Sequence, residues 1–219
     1  MEIKALIFDL DGVIVDTAKY HYLAWKEIAD ELGFFFSKED NERLKGVSRM
    51  RSLDILLEVG AVKLDDDIKI QLATKKNERY VGMVKKMPAD EILPGALSLL
   101  KSAKAKGYKI ALGSASKNAM TILNQLNITD VFDVIIDGNK VSEAKPDPEV
   151  FLIGAKELNV KPKNCVVFED AAAGVEAAHN GNMFCIGIGS EENLSEADIL
   201  IPGFENFTIN DFEKIIKKL

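Results

Sequence analysis

Residues 5–17 have the sequence A-L-I-F-D-L-D-G-V-I-V-D-T. It begins with a continuous apolar run, which is typical of a strand covered on both faces of a parallel sheet. The run then meets two aspartates, Asp9 and Asp11, followed by Gly12. A turn after the strand needs only one aspartate, so the second carboxylate requires another explanation.

Further short apolar runs rich in Ile and Val predict the other strands. With the first one, the predicted strands are Ile3–Phe8, Tyr108–Leu112, Val134–Ile136, Cys165–Phe168, Phe184–Ile188 and Asp198–Ile201. Helical patterns lie between them at Gly95–Lys106, Asn118–Leu126, Pro148–Leu158 and Ala171–Asn180. This alternation of strands and helices predicts an α/β fold with a parallel, Rossmann-like sheet.

The segment between the first two strands has no convincing strand pattern. It predicts helices at Lys19–Leu32, Lys38–Leu44, Met50–Val59 and Asp67–Lys86. Ser37 and Asp40 have the spacing of a capping box at the start of the second helix. We therefore expect an α/β core domain of residues 1–15 and 88–219 and an inserted helical cap domain of residues 16–87. The two connections, near Val15 and near Met87–Pro88, are candidate hinges.

Composition limits the classes of function. The 219 residues are 47% hydrophobic with a formal net charge of −7, and no Lys and Arg cluster indicates nucleic-acid binding. The Lys-rich stretch 214–218 is instead typical of the last turn of a helix. No segment reaches the ~20 apolar residues of a membrane span, and Asp9 and Asp11 interrupt the first apolar stretch, where a signal peptide would lie, so we expect a cytoplasmic protein. A monomer is the default expectation. Cys165 and Cys185 are expected to be buried free thiols.

Polar residues follow the predicted strands at their carboxyl ends, where open parallel sheets bind ligands. They include Asp9, Asp11, Ser114, Ser116, Lys145, Glu169 and Asp170. The two serines precede a helix whose first N–H groups attract anions, and Lys145 adds a positive charge. The carboxylates Asp9, Glu169 and Asp170 are hard oxygen ligands for Mg²⁺. This combination predicts phosphoryl transfer.

Several of these residues also have a purely structural interpretation. Asp11 and Gly12 can form a turn, and Asp170, Ser116 or Asp147 can be the N-cap of the helix that follows. Caps and turns do not account for the Lys145 side chain, for Glu169 or for the second carboxylate. The functional interpretation is therefore favoured for the set as a whole.

Four motifs of the chain resemble those of the haloacid dehalogenase superfamily, in the same order. They are Asp9-Leu10-Asp11-Gly12, Ser114 after a strand, Lys145-Pro146 and Glu169-Asp170. The helical insertion resembles the small cap domain of that superfamily. Within it, the chain resembles the β-phosphoglucomutase family at Asp16-Thr17, His21, Trp25, Leu44–Arg49, Lys76-Asn77 and Gly113–Asn118. Ala171 departs from the pattern, because a serine often follows the Glu-Asp pair.

The resemblance implies interconversion of β-D-glucose 1-phosphate and glucose 6-phosphate through β-glucose 1,6-bisphosphate, with Mg²⁺ as cofactor and a small phosphosugar as the binding partner. Asp9 would be the nucleophile and Asp11 the general acid and base, with its backbone carbonyl on the metal. Ser114 and Lys145 would hold the transferring phosphoryl group, and His21 would position Asp11 or the cap. The implied metal ligands are Asp9, Asp11, Glu169 and Asp170. The implied substrate-binding residues are Thr17, Trp25, Gly46, Val47, Arg49, Lys76, Ala115, Ser116, Lys117 and Asn118.

Alternatives remain open at this point. The same aspartates can serve a Mg²⁺-dependent sugar-phosphate phosphatase with water as the acceptor. A non-catalytic sugar-phosphate sensor is less favoured, because a sensor has no need of Asp11. In the insertion, His21 can be a surface histidine or a histidine with a satisfied structural hydrogen bond, Trp25 can be core packing, and Lys76 can belong to a solvated face. If Asp11 is a general acid and base, burial under the cap should raise its pKa.

Overall fold

The computed structural model describes residues 2–44 and 47–217 and contains a parallel six-stranded sheet. Its strands are β1 (Ala5–Phe8), β2 (Lys109–Gly113), β3 (Val134–Ile136), β4 (Cys165–Glu169), β5 (Phe184–Ile188) and β6 (Ile199–Ile201). The spatial order is β3-β2-β1-β4-β5-β6, so β1 pairs with β2 on one side and β4 on the other. This is the order of a doubly wound Rossmann sheet, as predicted.

Helices cover both faces of the sheet, which explains the continuous apolar strands. Leu6 and Phe8 of β1 point into one buried cluster, and Ala5 and Ile7 point into another. The first cluster also contains side chains of α5 (Ala96–Ala105), α6 (Ala119–Gln125) and α10 (Ile209–Ile216). The second contains side chains of α7 (Glu149–Glu157) and α8 (Ala172–Asn180).

The helical insertion between β1 and β2 forms as predicted. Its helices are α1 (Ala18–Leu32), α2 (Lys38–Glu42), α3 (Arg49–Val59) and α4 (Asp66–Val84). The backbone N–H of Asp40 donates to Ser37 Oγ at 3.0 Å, and that of Ser37 donates to Asp40 Oδ2 at 3.1 Å, which confirms the capping box. The insertion has its own apolar cluster, centred on Trp25, Phe36 and Leu56. The boundaries of the cap domain, residues 16–87, stay a prediction.

The two connections of the insertion run side by side. Val15 forms an antiparallel bridge with Ile92, and the N–H of Asp16 donates to the carbonyl of Glu91 at 3.0 Å. The buried Glu91 carboxylate accepts a hydrogen bond from Tyr20 Oη at 3.0 Å and pairs with Lys19. These contacts hold the first turn of α1 against the segment around Glu91, which leads from the insertion back to the core. This contact fixes where α1 leaves the core.

The C-terminal part contains two helices that the strand and helix patterns did not delimit. A short helix, α9 (Glu191–Leu194), follows β5, and α10 follows β6. Thr208 and Asp211 form a capping box at the start of α10, a signal that the sequence analysis missed. Both cysteines are buried free thiols, as predicted. Among the described residues, no helix combines the length and the apolar character needed to cross a membrane.

Candidate active site

A buried ion-pair network lies where β1 and β4 end. Asp9 follows β1, and its N–H donates to the Phe168 carbonyl of β4 at 3.0 Å. Lys145 Nζ lies 2.5 Å from Asp9 Oδ1 and 3.0 Å from Glu169 Oε1. Burial opposes the charge on Lys145, but the two carboxylates outweigh burial and raise the pKa of Lys145. Lys145 is therefore a fixed cation between two carboxylates.

The same strand ends form a site that fits a divalent metal. Asp9, Glu169 and Asp170 each offer a carboxylate oxygen, and these oxygens lie within 4.8 Å of one another. Three carboxylates around the single Lys145 ammonium leave negative charge for a hard cation to balance. The Asp11 carboxylate is not part of this cluster of the described residues. Its predicted contact with the metal through the backbone carbonyl stays a prediction.

Glycines make room for these carboxylates. Gly12 has a φ of 83°, and a Cβ at this position would lie 2.0 Å from Asp170 Oδ2. A Cβ at Gly174, in the first turn of α8, would lie 1.6 Å from Glu169 Oε1. The N-cap of α8 is Ala171, without a side-chain cap, so the N-cap interpretation of Asp170 is wrong. Gly12 thus belongs to the packing of the site as well as to the turn.

Asp11 lies beside Asp9 with a different environment. Thr17 Oγ1 donates a hydrogen bond to Asp11 Oδ1. Burial, with the negative charge of Asp9 adding to it, raises the pKa of Asp11 to about 6. A raised pKa was predicted for this carboxyl. A carboxyl group that titrates near 6 can both give and take a proton close to neutral pH.

The insertion contributes a buried polar pair, His21 and Lys76. Lys76 Nζ lies 2.8 Å from His21 Nδ1 and 4.8 Å from the ring centroids of both Trp25 and Tyr80. Burial, with the charge of Arg49 adding to it, lowers the pKa of Lys76 to about 7. Burial also lowers the pKa of His21 well below its ordinary value. Interpreting Lys76 as part of a solvated face is therefore wrong, since it is 3% exposed.

The segment after β2 presents hydroxyls to the same space. Ser114 is buried, and its Oγ accepts a hydrogen bond from the N–H of Ser116 at 3.1 Å. Ser116 Oγ accepts from the N–H of Asn118 at 3.3 Å. Asn118, not Ser116, is the N-cap of α6, so the helix begins later than the cap interpretation of Ser116 requires. Lys117 is exposed at the rim.

One cavity of about 270 Å³ brings the predicted residues together. From the core, it is lined by Asp9, Asp11, Ser114, Ala115, Ser116, Lys117, Asn118, Lys145, Glu169 and Asp170. From the insertion, it is lined by Thr17, His21, Trp25, Val47, Arg49 and Lys76. Trp25 also packs in the apolar cluster of the insertion, as its structural interpretation predicted. Gly46 lies outside the described residues.

The cavity has polar lining residues that the sequence analysis did not single out as site residues. Asn41, Ser52 and Asn77 all lie on its insertion side. Asn41 and Ser52 are buried, and Asn41 Oδ1 has no hydrogen-bond partner within the part of the chain that the structure describes. Asn77 followed Lys76 in the matching motif, but nothing in its local sequence predicts a contact. Only the packing of α2, α3 and α4 brings these residues to the cavity.

Comparison with known proteins agrees with this arrangement. The family model of haloacid dehalogenase-like hydrolases matches residues 3–182. Over 208 residues, the chain is 41% identical to the β-phosphoglucomutase of Bacillus subtilis, covering 94% of this chain and 92% of that protein. It is 34% identical to the phosphorylated carbohydrates phosphatase of Thermotoga maritima, covering 82% of each. The crystal structure of β-phosphoglucomutase from Clostridium difficile is similar with a TM-score of 0.93 and 44% identity, covering 99% of this chain and 98% of that one.

Proposed function

This chain belongs to the haloacid dehalogenase-like hydrolase family, and from that premise we propose that it is a phosphosugar mutase. Its reaction would interconvert β-D-glucose 1-phosphate and glucose 6-phosphate through β-glucose 1,6-bisphosphate. The observation that carries the proposal is one cavity with cationic groups at two places. Lys145 lies beside Asp9 in the core, and Arg49 lies on the insertion. A substrate with a phosphate at each end would place one phosphate near Lys145 and the other near Arg49.

Asp9 is the proposed nucleophile. In the first half, one carboxylate oxygen of Asp9 attacks the phosphorus on carbon 1 of β-glucose 1,6-bisphosphate, and the bond between that phosphorus and the sugar oxygen breaks. The leaving sugar oxygen takes a proton from Asp11, which leaves an aspartyl phosphate and a free sugar hydroxyl. In the second half, the 6-hydroxyl of a β-glucose 1-phosphate gives its proton to Asp11 and attacks the phosphoryl group on Asp9, which forms β-glucose 1,6-bisphosphate. Asp9 is then released, and the proton on Asp11 is restored.

The surrounding residues hold the reactants for this transfer. Ser114 and Lys145 hold the oxygens of the transferring phosphoryl group, because phosphoryl transfer depends mainly on positioning and charge stabilisation. Asp9, Glu169 and Asp170, with the predicted carbonyl of Asp11, would hold Mg²⁺. When bound, Mg²⁺ screens the carboxylates from the phosphate and offsets the charge that develops during transfer. Thr17 keeps the Asp11 carboxyl oriented through its hydrogen bond.

The insertion is proposed to act as a cap that determines whether a sugar hydroxyl or water accepts the phosphoryl group from Asp9. Water can attack an aspartyl phosphate as well as a sugar hydroxyl can, so a mutase must exclude water until the sugar is bound. Arg49, with Ser116, Lys117 and Asn118, would bind the phosphate that does not react, called the distal phosphate below. Because Arg49 belongs to the insertion and Asn118 to the core, binding this phosphate would hold the cavity closed.

A second candidate is a sugar-phosphate phosphatase with the same Asp9 and Asp11. The identity of 34% to the phosphorylated carbohydrates phosphatase of Thermotoga maritima favours it. In that case, water would replace the sugar hydroxyl in the second half of the reaction. The chemistry at Asp9 would be unchanged. The two functions therefore differ in what the insertion admits to the cavity.

One assay tests the proposal against the alternatives. Purified protein receives β-glucose 1-phosphate with Mg²⁺ and a trace of β-glucose 1,6-bisphosphate, and both glucose 6-phosphate and free phosphate are followed. The proposal expects glucose 6-phosphate as the main product. Free phosphate as the main product would identify a phosphatase, and tight binding without turnover would identify a sensor.

A further inference from the structure

We propose that Asn77 is a positioning residue that holds Arg49 and Asn118 together as one binding site for the distal phosphate. The assignment of this ligand rests on the proposed function. The hydrogen bonds of Asn77 do not depend on the proposed function, because they are features of the fold. Asn77 has no part in the phosphoryl transfer itself, and it would act only through the two residues it holds.

The side-chain oxygen of Asn77 links three elements of the molecule. Asn77 Oδ1 accepts a hydrogen bond from Arg49 Nη2 at 2.8 Å and another from Asn118 Nδ2 at 2.9 Å. Arg49 begins α3, Asn77 lies within α4, and Asn118 is the N-cap of α6 in the core. All three residues are partly buried and line the cavity. One neutral acceptor therefore joins a cation of the insertion to an amide of the core.

Arg49 differs from the other arginines of the chain in its partner. Arg43 and Arg51 both pair with Glu58, and Arg79 pairs with Glu31. Among residues 2–44 and 47–217, no carboxylate pairs with Arg49, and burial lowers its pKa. A half-buried guanidinium without a carboxylate is unfavourable unless an anion comes from outside the chain. The environment of Arg49 thus suits an external anion.

A neutral oxygen is the right acceptor for this purpose. Arg49 has five N–H donors and the Asn118 amide has two, so each keeps donors after bonding to Asn77. The amide oxygen of Asn77 can orient both groups without cancelling the positive charge of Arg49. A carboxylate at this position would also orient them, but it would neutralise Arg49 and repel a phosphate. Asparagine therefore keeps both the geometry and the charge available to the ligand.

The test compares a substrate that carries the distal phosphate with one that does not. β-Glucose 1-phosphate places its phosphate at the distal site when it accepts the phosphoryl group from Asp9. p-Nitrophenyl phosphate has a single phosphate, which must lie at Asp9 to react. For Asn77→Ala, we expect KM for β-glucose 1-phosphate to rise about tenfold, the effect of losing two hydrogen bonds of ordinary strength. The KM and kcat for p-nitrophenyl phosphate should stay within about twofold.

Asn77→Asp keeps an oxygen that can accept both hydrogen bonds and changes the charge beside Arg49. Arg49 and Asn118 both still have an acceptor, so KM for β-glucose 1-phosphate would stay at the wild-type value if no phosphate bound beside Arg49. We expect a rise in KM, because the new carboxylate neutralises Arg49. The matched control is Asn124→Ala on α6, which removes an exposed hydrogen bond with Thr129 and should leave both substrates unaffected.

The KM values of the Asn77 variants decide whether Asn77 positions Arg49 and Asn118. Equal losses on both substrates in Asn77→Ala, or a wild-type KM in either Asn77 variant, would overturn the proposal. If Asn77→Ala does not fold, the same comparison of the two substrates is made with Asn77→Asp, and equal losses on both substrates would again overturn the proposal. KM is taken from total consumption of β-glucose 1-phosphate. A wild-type protein that releases only free phosphate from it would sink the mutase, and β-glucose 1,6-bisphosphate, which has a phosphate at each end, would then replace it as the substrate that tests Asn77. If wild type shows no turnover, the dissociation constant of β-glucose 1-phosphate replaces KM.

Discussion

The buried cation on the core side of the cavity is paired with carboxylates, whereas the cations on the insertion side are not paired with any described carboxylate. On the core side, Lys145 lies 2.5 Å from Asp9 and 3.0 Å from Glu169, so the lysine is balanced within the chain. On the insertion side, no carboxylate among the described residues pairs with Arg49 or Lys76. Arg49 bonds to the Asn77 amide, and Lys76 contacts the rings of His21, Trp25 and Tyr80. The pKa of Lys145 is raised by its carboxylates, whereas burial lowers the pKa of Lys76 and of Arg49.

This contrast separates two tasks. The core side keeps its cation charged at any pH of interest, which suits a group that must stabilise a transferring phosphoryl group. The insertion side holds cations that lack counter-charges, so an arriving anion gains the full attraction. Substitutions on the core side should therefore abolish chemistry or stability. Substitutions on the insertion side should change binding and its dependence on pH.

Asp9→Asn should give the largest effect. An amide cannot form the aspartyl phosphate, so we expect turnover to fall by more than the roughly 10²- to 10⁴-fold usual for losing a general acid–base residue. The measurement is transfer of radiolabelled phosphate from β-glucose 1,6-bisphosphate to protein, read after denaturation. The exposed cavity residue Asp16, changed to Asn, is the control and should retain the label. Label retained on Asp9→Asn would show that Asp9 is not the nucleophile.

Asp11→Asn should follow, with a loss of roughly 10²- to 10⁴-fold in kcat for β-glucose 1-phosphate. The amide can still accept from Thr17, but it cannot exchange a proton with the sugar oxygen. p-Nitrophenol is a far better leaving group and needs little help from an acid. Formation of the phosphoenzyme from p-nitrophenyl phosphate should therefore be nearly normal. An equal loss with both substrates would assign Asp11 a role in structure and not in proton transfer.

The core side could be predicted from the sequence to a large extent. Parallel strands buried on both faces give continuous apolar runs, and Asp9, Ser114 and Glu169 sit where those runs end. The insertion side could not be predicted in the same way. Helical side chains such as Arg49 and Lys76 meet only through tertiary packing, so their assignment needed the family resemblance.

The features that the sequence analysis missed have the same origin. Asn77 meets Arg49 and Asn118 across separations of 28 and 41 residues, and no local pattern encodes either contact. Gly12 was explained as part of a turn, but its closeness to Asp170 depends on how β1 and β4 pair. The capping box of α10 was a local signal that could have been used.

Lys145→Met should destabilise the fold, because it leaves Asp9 and Glu169 buried without a cation. Breaking a buried ion pair in this way costs about 3–5 kcal/mol of the free energy of unfolding. The matched variant on the insertion side is Arg49→Met, which leaves no described carboxylate unpaired. It should cost only about 1 kcal/mol, the contribution of one ordinary hydrogen bond. Denaturant unfolding with a chelator present measures both. Similar losses for the two variants would remove the distinction between the two sides.

Lys76→Met should change the stability of the fold in a way that depends on pH, and not by a fixed amount. The pKa of Lys76 is about 7 in the folded protein against an ordinary value of 10.5, so the unfolded chain binds more protons between these values. Lys76 therefore destabilises the fold fully below about pH 7, and this cost shrinks as pH rises toward 10.5, by at most about 1.4 kcal/mol per pH unit. Replacing Lys76 with Met removes this contribution to the slope.

The measurement is the free energy of unfolding of wild type and Lys76→Met from pH 6 to about 9.5. The variant should be relatively more stable at the acid end, and the difference should decline steadily with rising pH. Lys75→Met is the control, because the neighbouring Lys75 is exposed and pairs with Glu31 at 2.8 Å. A pH-independent difference would mean that Lys76 keeps its proton throughout. The insertion side would then hold a fixed cation like Lys145, and the contrast between the two sides would rest on Arg49 alone.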